Sequence, residues 1–170
     1  MPLPTRPTAG ASIATAWGQD VHDRVFAPKG CKVAGAAFAA FANDGSYRTM
    51  ALDSATDDPG GWLDAANDQL IVPTGAEGLY LITFYATSVS GTANTQRDHV
   101  FLERNSTQIA RGSAECEGAT SIVLSASTVY PLVATDVLKL RSRSTGSGMV
   151  GHNGTVVSFT CTRIGDDWGA

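Results

Sequence analysis

The chain has 170 residues, 43% of them hydrophobic and 8% aromatic, which suits one globular domain and excludes wholesale disorder. Only 16% of residues are charged, against roughly 25% in typical soluble domains, so the chain either has a small wet surface or hides part of its outside against copies of itself. A net charge of −4 without a Lys/Arg run leaves no footprint for nucleic acid, and the longest apolar stretch, the ten residues Val33 to Ala42, falls short of the roughly eighteen that cross a membrane.

Residues 1–11 hold three of the seven prolines and little that can pack, and they read as an extended arm. The layout lacks the charged-then-apolar order of a secretion signal, so no export is expected. From Ser12, a plausible N-cap, Ile13, Trp17, Val21 and Val25 recur every four residues. This predicts a short amphipathic helix and linker over 12–29, ended by Pro28 and Gly30. Such a helix either docks on its own domain or packs on copies of itself or a larger assembly.

The Ala-rich run Val33 to Ala42 is ambiguous between helix and strand. Beyond it the chain reads as short strands separated by turns. Ser46 to Leu52 alternates, Asp57 to Gly61 is a loop, and Gln69 to Val72 is an apolar run stopped by Pro73. Leu79 to Ala86 is the strongest strand, with Tyr80, Ile82, Phe84 and Ala86 on one face. Further strands are expected over His99 to Arg104, Ser121 to Tyr130, Val137 to Arg141 and Thr155 to Ile164, with a Ser/Gly-rich loop from Ser142 to Gly154. Eight or so strands at this spacing make the fold all-β, a sandwich or jelly roll, over 30–165, with a short tail at 166–170.

No catalytic constellation is present. His22, His99 and His152 lie beside no Ser or Cys in a nucleophile motif, and Cys116 between Glu115 and Glu117 sits where a thiolate is disfavoured. Asp53, Asp57 and Asp58 crowd one loop as weak calcium candidates, but their spacing matches no calcium-loop motif, and they read as solvated carboxylates. No cofactor is implied.

The segment Gly78-Leu79-Tyr80-Leu81-Ile82-Thr83-Phe84, preceded by Val72-Pro73, resembles the G-x-Y strand shared by tumour necrosis factor and the globular head of complement's first component. Asp58-Pro59-Gly60-Gly61-Trp62-Leu63-Asp64 resembles the D-x-G-G-F/W-x-D loop of bacteriophage members of that superfamily. Val100 to Ser106 is similar to its strand-plus-Asn hairpin. Leu132 to Leu140 is similar to L-x-x-G-D-x-V-x-L, with Thr135 where Gly is usual and Leu138 where Val is usual. The resemblance implies a jelly-roll β-sandwich of about ten strands that assembles as a homotrimer. It carries Tyr80 to the threefold axis, together with Val157 and Phe159, for which a place in the protomer's own core is the competing reading. It also makes the strands bearing Cys31 and Cys161 neighbours, so that a disulfide is conceivable, although two buried free thiols fit a reducing cytoplasm.

The layout then implies a bacteriophage virion structural protein made in the host bacterial cytoplasm. Its knob would be anchored by residues 1–11 and by Ile13, Trp17, Val21 and Val25 to a major capsid or tail protein, as capsid decoration, head fibre or minor tail protein. The alternatives are a tip protein that binds a host surface receptor or glycan, or a secreted-type signalling module of the same fold. Neither membrane insertion nor nucleic-acid binding is expected.

Overall fold

A computed structural model of the chain describes residues 30–35, 45–89, 96–116, 121–146 and 157–165. The expected helix with Ile13, Trp17, Val21 and Val25, the arm before it and the tail after 165 lie outside these residues. Among the described residues eleven strands follow in order: β1 (Gly30–Gly35), β2 (Arg48–Thr49), β3 (Ser54–Asp57), β4 (Leu63–Asp64), β5 (Gln69–Ile71), β6 (Gly78–Val89), β7 (Gln96–Arg104), β8 (Thr107–Cys116), β9 (Ser121–Leu132), β10 (Val137–Gly146) and β11 (Val157–Gly165). They form two antiparallel sheets, β3-β1-β11-β6-β9 and β4-β5-β10-β7-β8, with β2 paired to β10. The fold is therefore the all-β jelly roll that the sequence predicts.

The core lies between the sheets and is made by the period-two alternation of the strands. On β6 the inward residues are Tyr80, Ile82, Phe84 and Ala86; on β10 they are Leu138 and Leu140, continued by Ser142 and Ser144. Trp62 is buried among them and meets the Tyr80 ring edge-on at 5.3 Å. The loop before it is built to present that indole. One carboxylate oxygen of Asp58 accepts from the Trp62 amide at 2.7 Å, and the other accepts from the Leu63 amide at 2.9 Å. The turn closes with the Gly61 amide on the Asp58 carbonyl at 3.2 Å, and Gly61 takes φ 67°.

Gly78, which opens the G-x-Y strand, is required by a close approach. A Cβ there would lie 2.5 Å from Arg163 Nε and 2.8 Å from the Gly165 carbonyl, where β11 bulges at Ile164. Gly112 serves a different contact, where edge strand β8 folds over edge strand β9. A Cβ at Gly112 would lie 2.5 Å from the Ser125 carbonyl oxygen.

Three expectations need correction. Strand β8 falls where no strand is expected, because its small and polar residues alternate too weakly to announce a buried face. Strand β3 covers a stretch, Ser54–Asp57, that is exposed throughout and so carries no burial pattern. Residues 142–146, expected to be loop, continue β10, because Ser142 and Ser144 are buried where an apolar residue would ordinarily mark the strand.

Asp136 fastens the corner between β9 and β10. It is buried and accepts from Arg104 Nε at 2.7 Å, Asn105 Nδ2 at 2.8 Å and the Val133 amide at 2.9 Å. The preceding Thr135 sits at φ 69°, the left-handed geometry its usual glycine would adopt freely. A β-branched residue there is strained by about 1–2 kcal/mol. Thr135→Gly keeps the 2.9 Å bond from the residue 135 amide to the Val72 carbonyl. It is expected to raise the melting temperature by about 2–4 °C, a gain of about 1 kcal/mol, in a thermal unfolding scan.

Candidate functional site

The two sheets turn very different faces outward. On β11, β6 and β9 the outward positions carry no charged side chain among the described residues: Leu81, Thr83 and Tyr85 on β6, Val123, Ser125, Ser127 and Val129 on β9, Thr160 and Thr162 on β11. Val123 is 62% exposed, Val129 52%, Tyr85 40% and Leu81 38%. Register places them side by side, with Leu81 opposite both Val129 and Thr162, and Tyr85 opposite Ser125 and Ser158. Charge returns only at the β1–β3 edge, with Lys32 and Asp57.

The outward face of the second sheet holds rows of arginine and aromatic residues. Across β10, β7 and β8, one row reads Arg141, Phe101, Arg111 and the next Arg143, His99, Ser113. Tyr47, beside β2 and half exposed, lies 5.3 Å from the Phe101 ring. The guanidiniums of Arg141 and Arg143 lie 5.9 and 5.4 Å from the Tyr47 ring, and that of Arg111 lies 5.6 Å from the Phe101 ring. Arg111 donates to His99 Nδ1 at 2.8 Å, so His99 accepts there and is neutral. Burial, then the charges of Arg111, Arg143 and Arg97, hold its pKa below the usual imidazole value, with Asp98 opposing.

Of the residues expected at a threefold axis, two have side chains among the described residues, Tyr80 and Phe159. Tyr80 and Phe159 each have 0% exposure in the single chain and leave no surface for a neighbour. Tyr80 donates its hydroxyl to the Ala76 carbonyl at 2.5 Å, and burial pushes its pKa up to about 12. Both lie in the hydrophobic core of the single chain. Val157 begins β11 opposite Gly35 and Ala86, but its side chain lies outside the described residues. The carboxylate of Asp58 is taken by two backbone amides, and Asp53, Asp57 and Asp58 belong to no group of three metal-ligating side chains among the described residues. Cys31 and Cys161 face each other in register on β1 and β11 as buried free thiols, and burial and the contact with Cys31 push the Cys161 thiol pKa well up. The side chain of Cys116 lies outside the described residues.

No protein-family profile and no curated protein matches the chain. Among solved structures it is similar to the globular domain of zebrafish complement 1qA, with a TM-score of 0.61 and 16% identity over 82% of this chain and 99% of that one. It is also similar to murine APRIL at pH 5.0, with a TM-score of 0.50 and 15% identity over 78% of this chain and 98% of that one. These likenesses show the fold, the jelly roll of the complement globular head.

Two buried groups make stability fall on acidification. His99 has a lowered folded pKa, so its share is fully present above the unfolded value of about 6.5 and is lost as pH falls through the folded value. For Asp136, burial alone would raise the pKa, but the bonds from Arg104, Val133 and Asn105 outweigh it and leave it lowered. Its share is lost only below about pH 3.9. Denaturant midpoints are expected to decline in two steps as pH is lowered, and His99→Gln is expected to remove the upper step alone.

Proposed function

We propose that the chain is a bacteriophage virion structural protein, a homotrimeric jelly-roll knob that packs copies of itself through the neutral β11-β6-β9 part of its first sheet. The observation that carries the reading is that face. Its outward positions on three adjacent strands are apolar or small and uncharged, in a chain whose other sheet is studded with charge. Association through such a surface buries Leu81, Tyr85, Val123 and Val129 without desolvating any ion. The contact thus falls on the strand neighbours of Tyr80, not on Tyr80.

The virion assignment is supported by the D-x-G-G-W-x-D loop at Asp58 to Asp64, similar to bacteriophage members of the superfamily, and by the sequence ahead of the domain, proline-rich over 1–11 and then apolar at every fourth position from Ile13 to Val25. Residues 1–11 with Ile13, Trp17, Val21 and Val25 are the proposed anchor to a capsid or tail protein. Three linked arms strengthen attachment to a symmetric particle. The activity is binding, not catalysis. A host-receptor role is the second reading, favoured by the arginine-aromatic face, which points away from the assembly surface.

Light scattering is expected to give three times the mass of the 17.7 kDa chain at micromolar concentration. Leu81→Glu with Val129→Glu is expected to yield a folded monomer, whereas Tyr80→Phe leaves assembly intact. A wild-type monomer overturns the trimer. Removal of residues 1–26 is expected to leave a folded trimer that no longer binds particles in co-sedimentation, and a truncated protein that still decorates them overturns the anchor.

A further inference from the structure

We infer that the arginine-aromatic face of the second sheet is a binding site for an acidic saccharide, whose carboxylate or sulfate group seats against Arg111 and Ser113. The site stands on a single chain and does not depend on the assembly or virion reading.

The first argument is charge out of place. In a chain of net charge −4, this face gathers Arg97, Arg111, Arg141 and Arg143 against Glu103 and Glu115. The two glutamates pair with Arg141, at 3.4 Å, and with Arg97. Among the described residues, Arg111 and Arg143 have no carboxylate partner: Arg111 spends one N–H on neutral His99, and Arg143 lies against Tyr47. Like charges this close repel, and a partner anion relieves the repulsion.

The second argument is shape. Arg97, Arg111, Ser113, Ala114 and Glu115 line an open depression of about 350 Å³ at the β7–β8 edge of the face. Arg111 is fixed over the Phe101 ring and by His99, so its remaining N–H groups are pre-aimed, and Ser113 adds a hydroxyl donor in the adjacent row. From β8 across to β10 is about 10 Å, two inter-strand spacings and the reach of a disaccharide. At that far side Tyr47, 48% exposed, offers an apolar edge for a sugar ring between Arg141 and Arg143. A long polyanion fits less well: the patch is confined to a few rows and the rest of the chain is acidic, which disfavours nucleic acid.

The Arg97–Glu115 pair gives the test its direction. Both side chains are more than half exposed, and Glu115 competes with the ligand for the rim of the depression. Calorimetric titration of the full chain with a heparin-derived tetrasaccharide, which carries both carboxylates and sulfates, is expected to show binding that weakens with added salt. Arg111→Gln and Arg143→Gln are each expected to weaken it about tenfold. Glu115→Gln is expected to tighten it about threefold, a gain that a damaged fold does not produce. Sodium sulfate is expected to compete, but at least about tenfold more weakly than the tetrasaccharide, and uncharged maltotetraose is expected not to bind. Lack of tetrasaccharide binding, or binding that neither arginine variant changes, overturns the site. Sulfate as tight as the tetrasaccharide, maltotetraose binding, or an eight-nucleotide thymidine strand that binds more tightly than the tetrasaccharide overturns the assignment to an acidic saccharide.

Discussion

The pleat of a β-strand gives each side chain one of two directions, and in a two-sheet sandwich one of those directions is always spoken for by the core. Tyr80, Ile82, Phe84 and Ala86 fill the space between the sheets, and the register with β9 and β11 then leaves Leu81, Thr83 and Tyr85 no choice but to face out. A slip of one residue would exchange the two sets. Several local devices hold the register: Gly78 where β11 bulges against β6, the Asp58 cap that drives Trp62 onto Tyr80, and the Asp136 corner that ties β7, β9 and β10 together.

The same constraint explains how a low charge count is distributed. A surface with few ions has two ways to spend them, evenly or on one side, and here the difference lies between the sheets. The outward rows of β11, β6 and β9 are neutral, and those of β10, β7 and β8 carry arginines set on aromatic rings. A surface meant for copies of the same chain gains from neutrality, since like patches meet like patches about a symmetry axis. A surface meant for a different molecule gains from charge of one sign. The two faces suit opposite kinds of encounter and lie on opposite sides of the sandwich.

The central strands were legible in the sequence because they combine strict alternation with large apolar residues, as in Leu79 to Ala86. Their direction was not. Alternation says that Tyr80, Ile82 and Phe84 share a side, but not that this side is the inside, so a tyrosine assigned to the axis by resemblance turns out to be core. Strand β8 was hidden because Gly112 and the small residues around it fit a close crossing onto β9 and carry no apolar signal. The end of β10 was hidden because buried serines imitate a loop. The arginine-aromatic face was missed for another reason. Arg111, Arg141 and Arg143 are scattered over more than thirty positions, and only the pairing of three strands makes them neighbours.

The pairing of Cys31 with Cys161 marks a further property of the design, a mechanical one. Strand β1 lies between β3 and β11, running antiparallel to the last strand with Gly30 opposite Thr162. A pull applied at residue 30 along the strand axis therefore strains the hydrogen bonds to both neighbours together, in shear, instead of opening them singly from one end. Load entering at residue 30 along that axis is thus shared between two strand ladders.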